Sequence, residues 1–219
     1  MKHQKRIMLS RMKLKDPNEL MGYEKELIQN GITQIAGIDE VGRGPLAGPV
    51  VCVAIIMDFD NLVAGVDDSK KLSEKKREML YGQILKNCKA VSISFESPEV
   101  IDEVNILNAT KKCMADAING LSITPQMVLI DAVDLGERVK VETKSIIHGD
   151  AVSYSIACAS IIAKVTRDRY MQEQSLIYPE YNFEKNKGYG TSDHIKAIKH
   201  FGITPIHRKS FVKNFIGEK

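Results

Sequence analysis

Residues 37–50 of this chain read Gly37-Ile38-Asp39-Glu40-Val41-Gly42-Arg43-Gly44-Pro45-Leu46-Ala47-Gly48-Pro49-Val50. Two adjacent carboxylates, Asp39 and Glu40, end a short apolar run and lead directly into a Gly-Arg-Gly turn. Carboxylate oxygens are ligands that divalent cations prefer, and glycine lets a phosphate-rich polymer approach the backbone closely. These residues therefore indicate a metal-dependent enzyme that acts on a nucleic acid backbone.

Composition is typical of a soluble globular protein. The 219 residues are 43% hydrophobic and 27% charged. The longest unbroken apolar run, Val50 to Met57, is far shorter than the ~20 residues that span a bilayer. No secretory signal follows the basic N-terminal residues, so we expect a cytoplasmic protein with no membrane association. The four cysteines form no C-x-x-C pair and are interpreted as reduced thiols of the core.

Charge is distributed unevenly, although the net charge is only +3. Residues 1–15 contain six Lys or Arg and no acid, and residues 185–219 contain eight basic residues against two acids. Basic ends around an acidic centre fit a protein that binds a polyanion and holds catalytic metals in that centre. Solvated terminal lysines without a partner are the alternative.

The pattern along the chain predicts three regions. Residues 1–34 are expected to be a basic N-terminal extension with one short helix near Asn18–Gln29. Residues 35–176 are expected to form a catalytic core of the α/β class, and residues 177–219 a C-terminal helical region that binds substrate. Short β-branched runs predict five strands, at Ile35–Val41, Val50–Met57, Ala90–Phe95, Gln126–Ile130 and Lys144–His148.

Capping residues predict where the helices begin and end. Ser73, Ser97 before Pro98, Ser153 and Thr191 are each placed to open a helix. These helices are expected to run to about Leu85, Asn119, Ser175 and Gly202, with a break at Asn105 in the second.

Four acids are singled out because each follows an apolar strand: Asp39, Glu40, Asp131 and Asp150. Strand ends of one sheet converge in space, which is where sites of α/β proteins form. Clustered carboxylates repel one another unless cations compensate them, and two Mg²⁺ ions about 3.5–4 Å apart do so in phosphoryl-transfer sites. Any one of these acids alone is better interpreted as a helix cap or turn residue. The four together favour a metal site.

Glu40 poses a geometric difficulty, because successive strand residues point to opposite faces of a sheet. Asp39 and Glu40 therefore should not both face one site. Either the strand breaks at Glu40, or one of the two residues binds metal through its backbone carbonyl.

The Gly42-Arg43-Gly44 turn is not a known nucleotide loop. A Walker loop requires Lys-Ser/Thr after its last glycine, and a Rossmann turn opens a helix, whereas this turn leads into a strand. The remaining interpretation is an exposed turn that offers backbone N–H groups and a guanidinium to a sugar-phosphate edge. A simple hairpin turn is the alternative.

Four motifs in order resemble ribonuclease HII of bacteria. They are residues 37–50, Asp68–Ser73, Ser160–Arg169 and Lys187–Thr191. The resemblance implies an RNase H-like mixed β-sheet flanked by helices, with a C-terminal helical region. It implies hydrolysis of the phosphodiester bond 5′ of ribonucleotides, in RNA–DNA hybrids and at single ribonucleotides in duplex DNA. It also implies Mg²⁺ or Mn²⁺ as cofactor, with the four acids as catalytic metal ligands. We expect a monomer.

The same resemblance assigns further substrate contacts. Gly42, Arg43 and Gly44 are expected to sense the ribose 2′-hydroxyl, and Tyr189 to pack on the sugar at the junction. Contacts to the nucleic acid backbone are expected from five residues, Ser69, Lys70, Lys164, Arg167 and Lys187. A solvated basic face is the alternative for each of these five, and core packing is the alternative for Tyr189. Asp168 is interpreted as a member of a local ion pair.

Two features depart from the family pattern. Residues 132–136 do not give the Asp-Gly-Asn run common after the third acid, and the leader before Gln34 has no assigned counterpart. Ribonuclease HIII is the nearest rival, but it usually carries Gly-Lys-Gly in place of residues 42–44 and has an additional N-terminal domain. A non-catalytic nucleic-acid-binding module on the same fold is the other alternative.

Overall fold

The computed structural model describes residues 15–216. Its strands are β1 (Ile35–Val41), β2 (Val50–Met57), β3 (Cys88–Glu96), β4 (Met127–Asp131) and β5 (Glu142–Ile146). Its α-helices are α1 (Gly22–Gln29), α2 (Glu74–Asn87), α3 (Pro98–Asn119), α4 (Gly149–Val152), α5 (Tyr154–Ile177), α6 (Phe183–Asn186), α7 (Ser192–Phe201) and α8 (Lys209–Ile216).

The strands form one mixed five-stranded sheet in the order β3-β2-β1-β4-β5. β2 pairs antiparallel with β1 and β3, whereas β4 pairs parallel with β1 and β5. β1 is therefore central, and its C-terminal end lies beside the C-terminal end of β4. The predicted α/β class with a mixed sheet is confirmed.

Helices cover both faces of the sheet. Alternate residues of β1 and β2, among them Ile38 and Cys52, pack with α3, while Val53 and Ile55 pack with α2 and α5 on the other face. β2 is buried on both faces, which explains its unbroken apolar sequence. Gly37 lets α5 approach β1 closely, because a Cβ atom there would lie 2.2 Å from the Ser155 carbonyl carbon. Asp39, two residues along, points to the same face.

The predicted helix starts are confirmed at Ser73, Ser97, Ser153 and Thr191. Each of these side chains accepts a hydrogen bond from a backbone N–H of the first turn. Asn105 interrupts α3 with a φ of 66°, as predicted. β5 begins and ends two residues earlier than predicted, because His148 adopts a left-handed conformation with a φ of 56°.

The C-terminal helices pack around a hydrophobic cluster of their own, which includes Phe183, Ile198 and Val212. Ala47 and Met171 join this cluster from the rest of the chain. The sequence did not predict α8. Its first two N–H groups donate to the carboxylate of Asp102 in α3, which fixes the helix start.

The described part of the predicted N-terminal extension packs against the start of α5. A 3-10 turn at Pro17–Leu20 precedes α1, in agreement with the predicted short helix. The buried Glu24 carboxylate in α1 accepts hydrogen bonds from the Ser153 hydroxyl at 2.6 Å and the Ser155 N–H at 2.9 Å. The basic residues 1–14 and the last three residues lie outside the described residues.

All four cysteines are free, as predicted. Between residues 15 and 216, none of the helices combines the length and apolar character that a membrane crossing requires.

Candidate active site

A cleft opens where the C-terminal ends of β1 and β4 meet. Its volume is about 130 Å³. The lining residues come from both strands, from the segment before α2, from α5 and from the segment before α7: Asp39, Glu40, Val41, Ser69, Lys70, Asp131, Ser160, Lys164 and Tyr189. We call Asp39, Glu40, Asp131 and Asp150 the acidic wall, and residues 42–44 together with Tyr189 the loop wall.

Asp39 is the most deeply buried acid of the cleft lining, with 5% of its surface exposed. Its Oδ1 accepts the Glu40 N–H at 2.8 Å. Burial raises the pKa of Asp39 well above its usual value, and the negative charges of Glu40 and Asp131 raise it further. The Ser160 hydroxyl acts in the opposite direction. Asp39 is thus a carboxylate whose surroundings disfavour its ionised form.

Glu40 also lines the cleft, although the strand does not break there. β1 continues to Val41 as predicted, with Glu40 paired to Cys52, so the first of the two alternatives, a strand break at Glu40, is excluded. The Glu40 Oε1 accepts a hydrogen bond from Arg43 Nη1 at 3.4 Å, while its buried Oε2 has no partner among the described residues. Burial raises the pKa of Glu40, Arg43 lowers it, and Asp131 raises it.

Asp131 lines the cleft at the end of β4, whereas Asp150 is not part of the lining and lies behind Lys70. Asp131 Oδ1 accepts the Gly149 N–H at 2.8 Å, which ties the end of β4 to the first residue of α4. Lys70 Nζ lies 3.0 Å from Asp150 Oδ2, and this pairing raises the pKa of Lys70. Burial raises the pKa of Asp131, and the charge of Asp150 adds to the effect.

The acidic wall has the donor chemistry of a site for a hard divalent cation. All its side-chain donors are carboxylate oxygens, and one of them, Glu40 Oε2, is buried without a partner. Within residues 15–216, no three His, Cys, Asp or Glu side chains are already arranged to hold an ion. In this arrangement Lys70 neutralises Asp150, and backbone N–H groups satisfy Asp39 and Asp131.

The Gly42-Arg43-Gly44 turn is held by buried arginines. Gly42 has a φ of +96°, and a Cβ atom there would lie 2.4 Å from Arg167 Nε. Arg208, which is fully buried, donates to the carbonyls of Gly42 and Arg43 at 2.5 and 2.9 Å. The turn is therefore a fixed structure and not a flexible hairpin.

Arg167 does not occupy the surface position predicted for a contact to nucleic acid. Its side chain is fully buried and donates to the carbonyls of Ala47, Pro49 and Lys187 at 2.9 to 3.0 Å. Burial lowers its pKa to about 10. A guanidinium in this position ties loops together and cannot reach a sugar-phosphate backbone.

Tyr189 faces the turn across the cleft. A Cβ atom on Gly44 would lie 3.8 Å from Tyr189 Cε1, and the tyrosine is 43% exposed. The core-packing alternative for Tyr189 therefore fails, since its ring lies at the cleft surface.

The remaining predicted contacts are distributed unevenly. Lys70, Lys164 and Ser69 line the cleft, and the buried Ser69 hydroxyl lies 2.9 Å from that of Ser160. Lys164 Nζ donates to Asp168 at 2.7 Å, so the ion pair predicted for Asp168 is present. Lys187 is half-buried and does not line the cleft.

Sequence reasoning missed Arg208, His194 and His207. His194 Nδ1 lies 2.9 Å from the Tyr189 carbonyl, and His194 Nε2 lies 3.0 Å from His207 Nε2. The only available signal was the adjacency of His207 and Arg208 after Pro205, which one sequence does not distinguish from an exposed basic turn.

Comparisons with known proteins agree with this geometry. The family model described as Ribonuclease HII matches residues 36–214. Ribonuclease HII of Acetivibrio thermocellus is 53% identical over 90% of this chain and 77% of its own length. Ribonuclease HII of Bacillus thuringiensis is 54% identical over 88% of this chain and 74% of its own length.

Solved structures show the same fold. Ribonuclease H2 from Pyrococcus horikoshii matches with a TM-score of 0.72 at 28% identity, covering 83% of this chain and 96% of its own. RNase HII from Archaeoglobus fulgidus, solved in a PCNA complex, matches with a TM-score of 0.71 at 29% identity, covering 84% and 98%. Bst-RNase HIII, solved in complex with Mn²⁺, shares the fold alone, with 15% identity and a TM-score of 0.60 over 84% and 69% of the two chains.

The resemblance found in four motifs thus extends over nearly all of the described residues. Ribonuclease HII of Acetivibrio thermocellus and that of Bacillus thuringiensis both exceed 50% identity, whereas Bst-RNase HIII reaches 15%. The chain belongs to the ribonuclease HII family of RNase H endonucleases, which act on RNA.

Proposed function

We propose that the chain hydrolyses the phosphodiester bond 5′ of a ribonucleotide, leaving 3′-hydroxyl and 5′-phosphate ends. The proposed substrates are RNA–DNA hybrids and duplex DNA with single embedded ribonucleotides, which places the activity in DNA replication and repair. One observation supports the proposal: the carboxylates of Asp39, Glu40 and Asp131 line the same cleft as Tyr189, whose ring lies against the fixed Gly-Arg-Gly turn.

The acidic wall is proposed to hold Mg²⁺ or Mn²⁺ through Asp39, Glu40, Asp131 and Asp150. Such ions, when bound, neutralise phosphate charge and lower the pKa of a bound water. The buried and unpartnered Glu40 Oε2 supports binding through the Glu40 side chain over its backbone carbonyl. The pKa values of Asp39 and Glu40 are raised, so a nearby cation would favour their ionised forms, which supports the proposal.

The loop wall is proposed to recognise the ribose. Tyr189 offers an exposed ring face for a sugar, and the turn offers backbone N–H groups at a site where Gly44 leaves room. A 2′-hydroxyl both donates and accepts hydrogen bonds, and it is the chemical difference by which a protein separates RNA from DNA.

Electrostatic contacts to the nucleic acid backbone are proposed for the exposed Lys70 and for Lys164 and Lys187, with Ser69 beside them. Lys70, whose side chain is 79% exposed, lies at the cleft and can exchange Asp150 for a phosphate. We propose a cytoplasmic monomer, and its four free cysteines agree with a reducing compartment.

The test uses a DNA duplex with one embedded ribonucleotide and a matched all-DNA duplex, each incubated with protein and Mg²⁺. A single nick 5′ of the ribonucleotide, with ends that a ligase assay identifies as 3′-hydroxyl and 5′-phosphate, is the expected result. Asp39→Asn should lose more than about 100-fold in rate, since even indirect partners of metal ligands cost 10- to 100-fold.

Asp60→Asn is the matched control, because Asp60 is an exposed acid in the turn after β2 and should cleave like the parent. Binding without a nick would favour the non-catalytic alternative. Equal cleavage by Asp39→Asn and the parent would remove the acidic wall from the mechanism.

A further inference from the structure

One short segment of the C-terminal region, Ile206-His207-Arg208, contacts the turn of the loop wall directly and is linked to Tyr189 through His194. It pairs with residues 46–48 in a short antiparallel bridge. The Gly48 N–H donates to the Ile206 carbonyl at 2.8 Å, and the Arg208 N–H donates to the Leu46 carbonyl at 2.9 Å. The bridge places two buried side chains, His207 and Arg208, beneath the cleft.

Arg208 fixes the direction of the peptide groups in the turn. Its guanidinium donates to the carbonyls of Gly42, Arg43 and Gly48. In a trans peptide the C=O and the following N–H point in opposite directions, and no cis peptide occurs among the described residues. Because the Gly42 and Arg43 carbonyls point at Arg208, the N–H groups of Arg43 and Gly44 point away from it.

These two N–H groups are available to a ligand. Within the described part of the chain, neither Arg43 N–H nor Gly44 N–H donates to a protein acceptor. Two adjacent free N–H groups in a fixed turn form a site for an oxygen acceptor.

His207 reaches the other half of the loop wall through His194. The Thr204 N–H, which can only donate, lies 2.9 Å from His207 Nδ1, so this nitrogen accepts and the His207 proton is on Nε2. His207 Nε2–H then donates to His194 Nε2 at 3.0 Å. His194 must carry its proton on Nδ1, which donates to the Tyr189 carbonyl at 2.9 Å.

This chain of hydrogen bonds requires both imidazoles to be neutral. The aromatic rings of Tyr181 and Phe183 pack against the pair, and the Tyr181 hydroxyl donates to the Gly202 carbonyl. Burial lowers the pKa of His194 and lowers that of His207 to about 4. No carboxylate contributes to either shift. Hydrogen bonds with backbone groups of Tyr189 and Thr204 act in the opposite direction, but burial outweighs them.

We propose that His207 and Arg208 are positioning residues that hold the turn and Tyr189 in register, so that together they fit one ribose. This inference depends on the proposed function, in which the loop wall recognises the 2′-hydroxyl. Neither residue touches the substrate. Each acts through a backbone group: Arg208 on the carbonyls of the turn and His207, through His194, on the carbonyl of Tyr189.

The proton arrangement is tested first in the unaltered protein. Long-range ¹H–¹⁵N spectra of the imidazoles should show His207 as the Nε2–H tautomer and His194 as the Nδ1–H tautomer at pH 7. Any other tautomer for either residue would overturn the His207 part of the proposal, and no variant needs to fold for this measurement.

Variants test the consequence for recognition. His207→Gln can still place a donor near His194 Nε2, whereas His207→Leu cannot, and Arg208→Lys keeps the charge but cannot reach three carbonyls together. His200→Leu is the control, because His200 is exposed on α7. Folding of each variant is checked by its thermal transition.

The readout is the affinity for the duplex with one ribonucleotide relative to the all-DNA duplex, together with kcat. His207→Leu and Arg208→Lys should lose this preference while keeping their affinity for the all-DNA duplex within twofold. Their kcat should fall by about 10- to 100-fold, because small displacements of substrate-positioning groups have effects of that size. His207→Gln and His200→Leu should behave like the parent.

The proposed function of the loop wall and the positioning role of His207 and Arg208 are refuted by different results. A parent that shows no preference for the ribonucleotide refutes the proposed function of the loop wall. A parent that shows the preference, with folded His207→Leu and Arg208→Lys variants that retain it, refutes the positioning role alone.

Discussion

The two walls of the cleft are built on opposite principles. The acidic wall gathers four carboxylates. The pKa values of Asp39, Glu40 and Asp131 are raised by burial and by neighbouring negative charge, and the Glu40 Oε2 has no partner among the described residues. The loop wall also contains buried charge, in Arg167 and Arg208, but each guanidinium is satisfied by several carbonyls. Repulsion between the carboxylates of the acidic wall is not relieved in the free protein. The hydrogen bonds that support the loop wall are already formed there.

This difference separates two tasks. A metal site must release free energy when the ion binds, so repulsion in the free protein favours binding. A recognition surface works best when it does not rearrange, because a surface that is already ordered loses no further entropy on contact. Substitutions should therefore stabilise the free protein at the acidic wall and destabilise it at the loop wall.

The largest expected effect is at the buried support of the loop wall. Arg208→Met should lower the free energy of unfolding by about 3–5 kcal/mol, because three buried carbonyls lose their donor at about 1–3 kcal/mol each. Arg43→Met removes a half-exposed arginine of the same turn and should change stability by less than about 0.5 kcal/mol. Urea unfolding of both variants measures the contrast, and equal effects would contradict it.

The next effect concerns the support of the acidic wall from the N-terminal segment. Glu24→Ala leaves the Ser153 hydroxyl and the Ser155 N–H without their acceptor at the start of α5, just after Asp150. The free energy of unfolding should fall by about 3 kcal/mol. Glu24→Gln keeps an acceptor oxygen and should lose less than about 1 kcal/mol. A loss as large as that of the Ala variant would show that the negative charge matters more than the hydrogen bonds.

Acid should act on the two walls with opposite signs. The raised pKa values of Asp39 and Glu40 mean that the folded state binds protons first, so their contribution to stability grows as the pH falls through those values. The pKa of His207 is lowered from 6.5 to about 4, so the unfolded state binds the proton first and stability is lost between these pH values.

For His207 this loss should reach about 2 kcal/mol between pH 7 and pH 5. His207→Gln removes the titrating group and should abolish that part of the pH dependence, whereas Asp39→Asn should reduce the gain at the acidic wall. Denaturant titrations of the metal-free protein at several pH values separate the contribution of His207 from that of the acidic wall. An unchanged profile in His207→Gln would show that the imidazole is protonated in the folded protein.

The smallest expected effect is a gain in stability. Asp39→Asn removes one charge from the acidic wall and should raise the Tm of the metal-free protein by roughly 2–4 °C for each kcal/mol of repulsion relieved. Mg²⁺ should raise the Tm of the parent and have little effect on that of the variant. If, without metal, the Tm of Asp39→Asn were lower than that of the parent, the acids would not repel one another in the folded protein.

The sequence predicted those parts of the fold that depend on neighbouring residues. β1 ends just before Gly42 and β2 begins just after Pro49, and Ser97, Ser153 and Thr191 cap helices through contacts three residues away. The shared edge of β1 and β4 likewise followed from strand order, which brings Asp39 near Asp131.

The support of the loop wall was not predictable for a physical reason. Arginines are normally exposed, and the acceptors of Arg167 and Arg208 are backbone carbonyls, which every residue possesses. No residue type therefore marks the partner of either side chain. The left-handed His148, which lies just beyond the end of β5, is also difficult to predict, because histidine adopts that conformation more often than most residues but still uncommonly.

The hydrogen bonds of Arg208 span 160 to 166 residues of sequence. Contacts of such long range form late in folding, since the intervening chain must be ordered before they compensate for its lost entropy. The hairpin of β1 and β2 needs no such closure, so Asp39 and Glu40 can be in place while residues 42–44 are still unsupported. The proposed recognition of the ribose therefore depends on contacts that close a far longer stretch of chain than the hairpin that places Asp39 and Glu40.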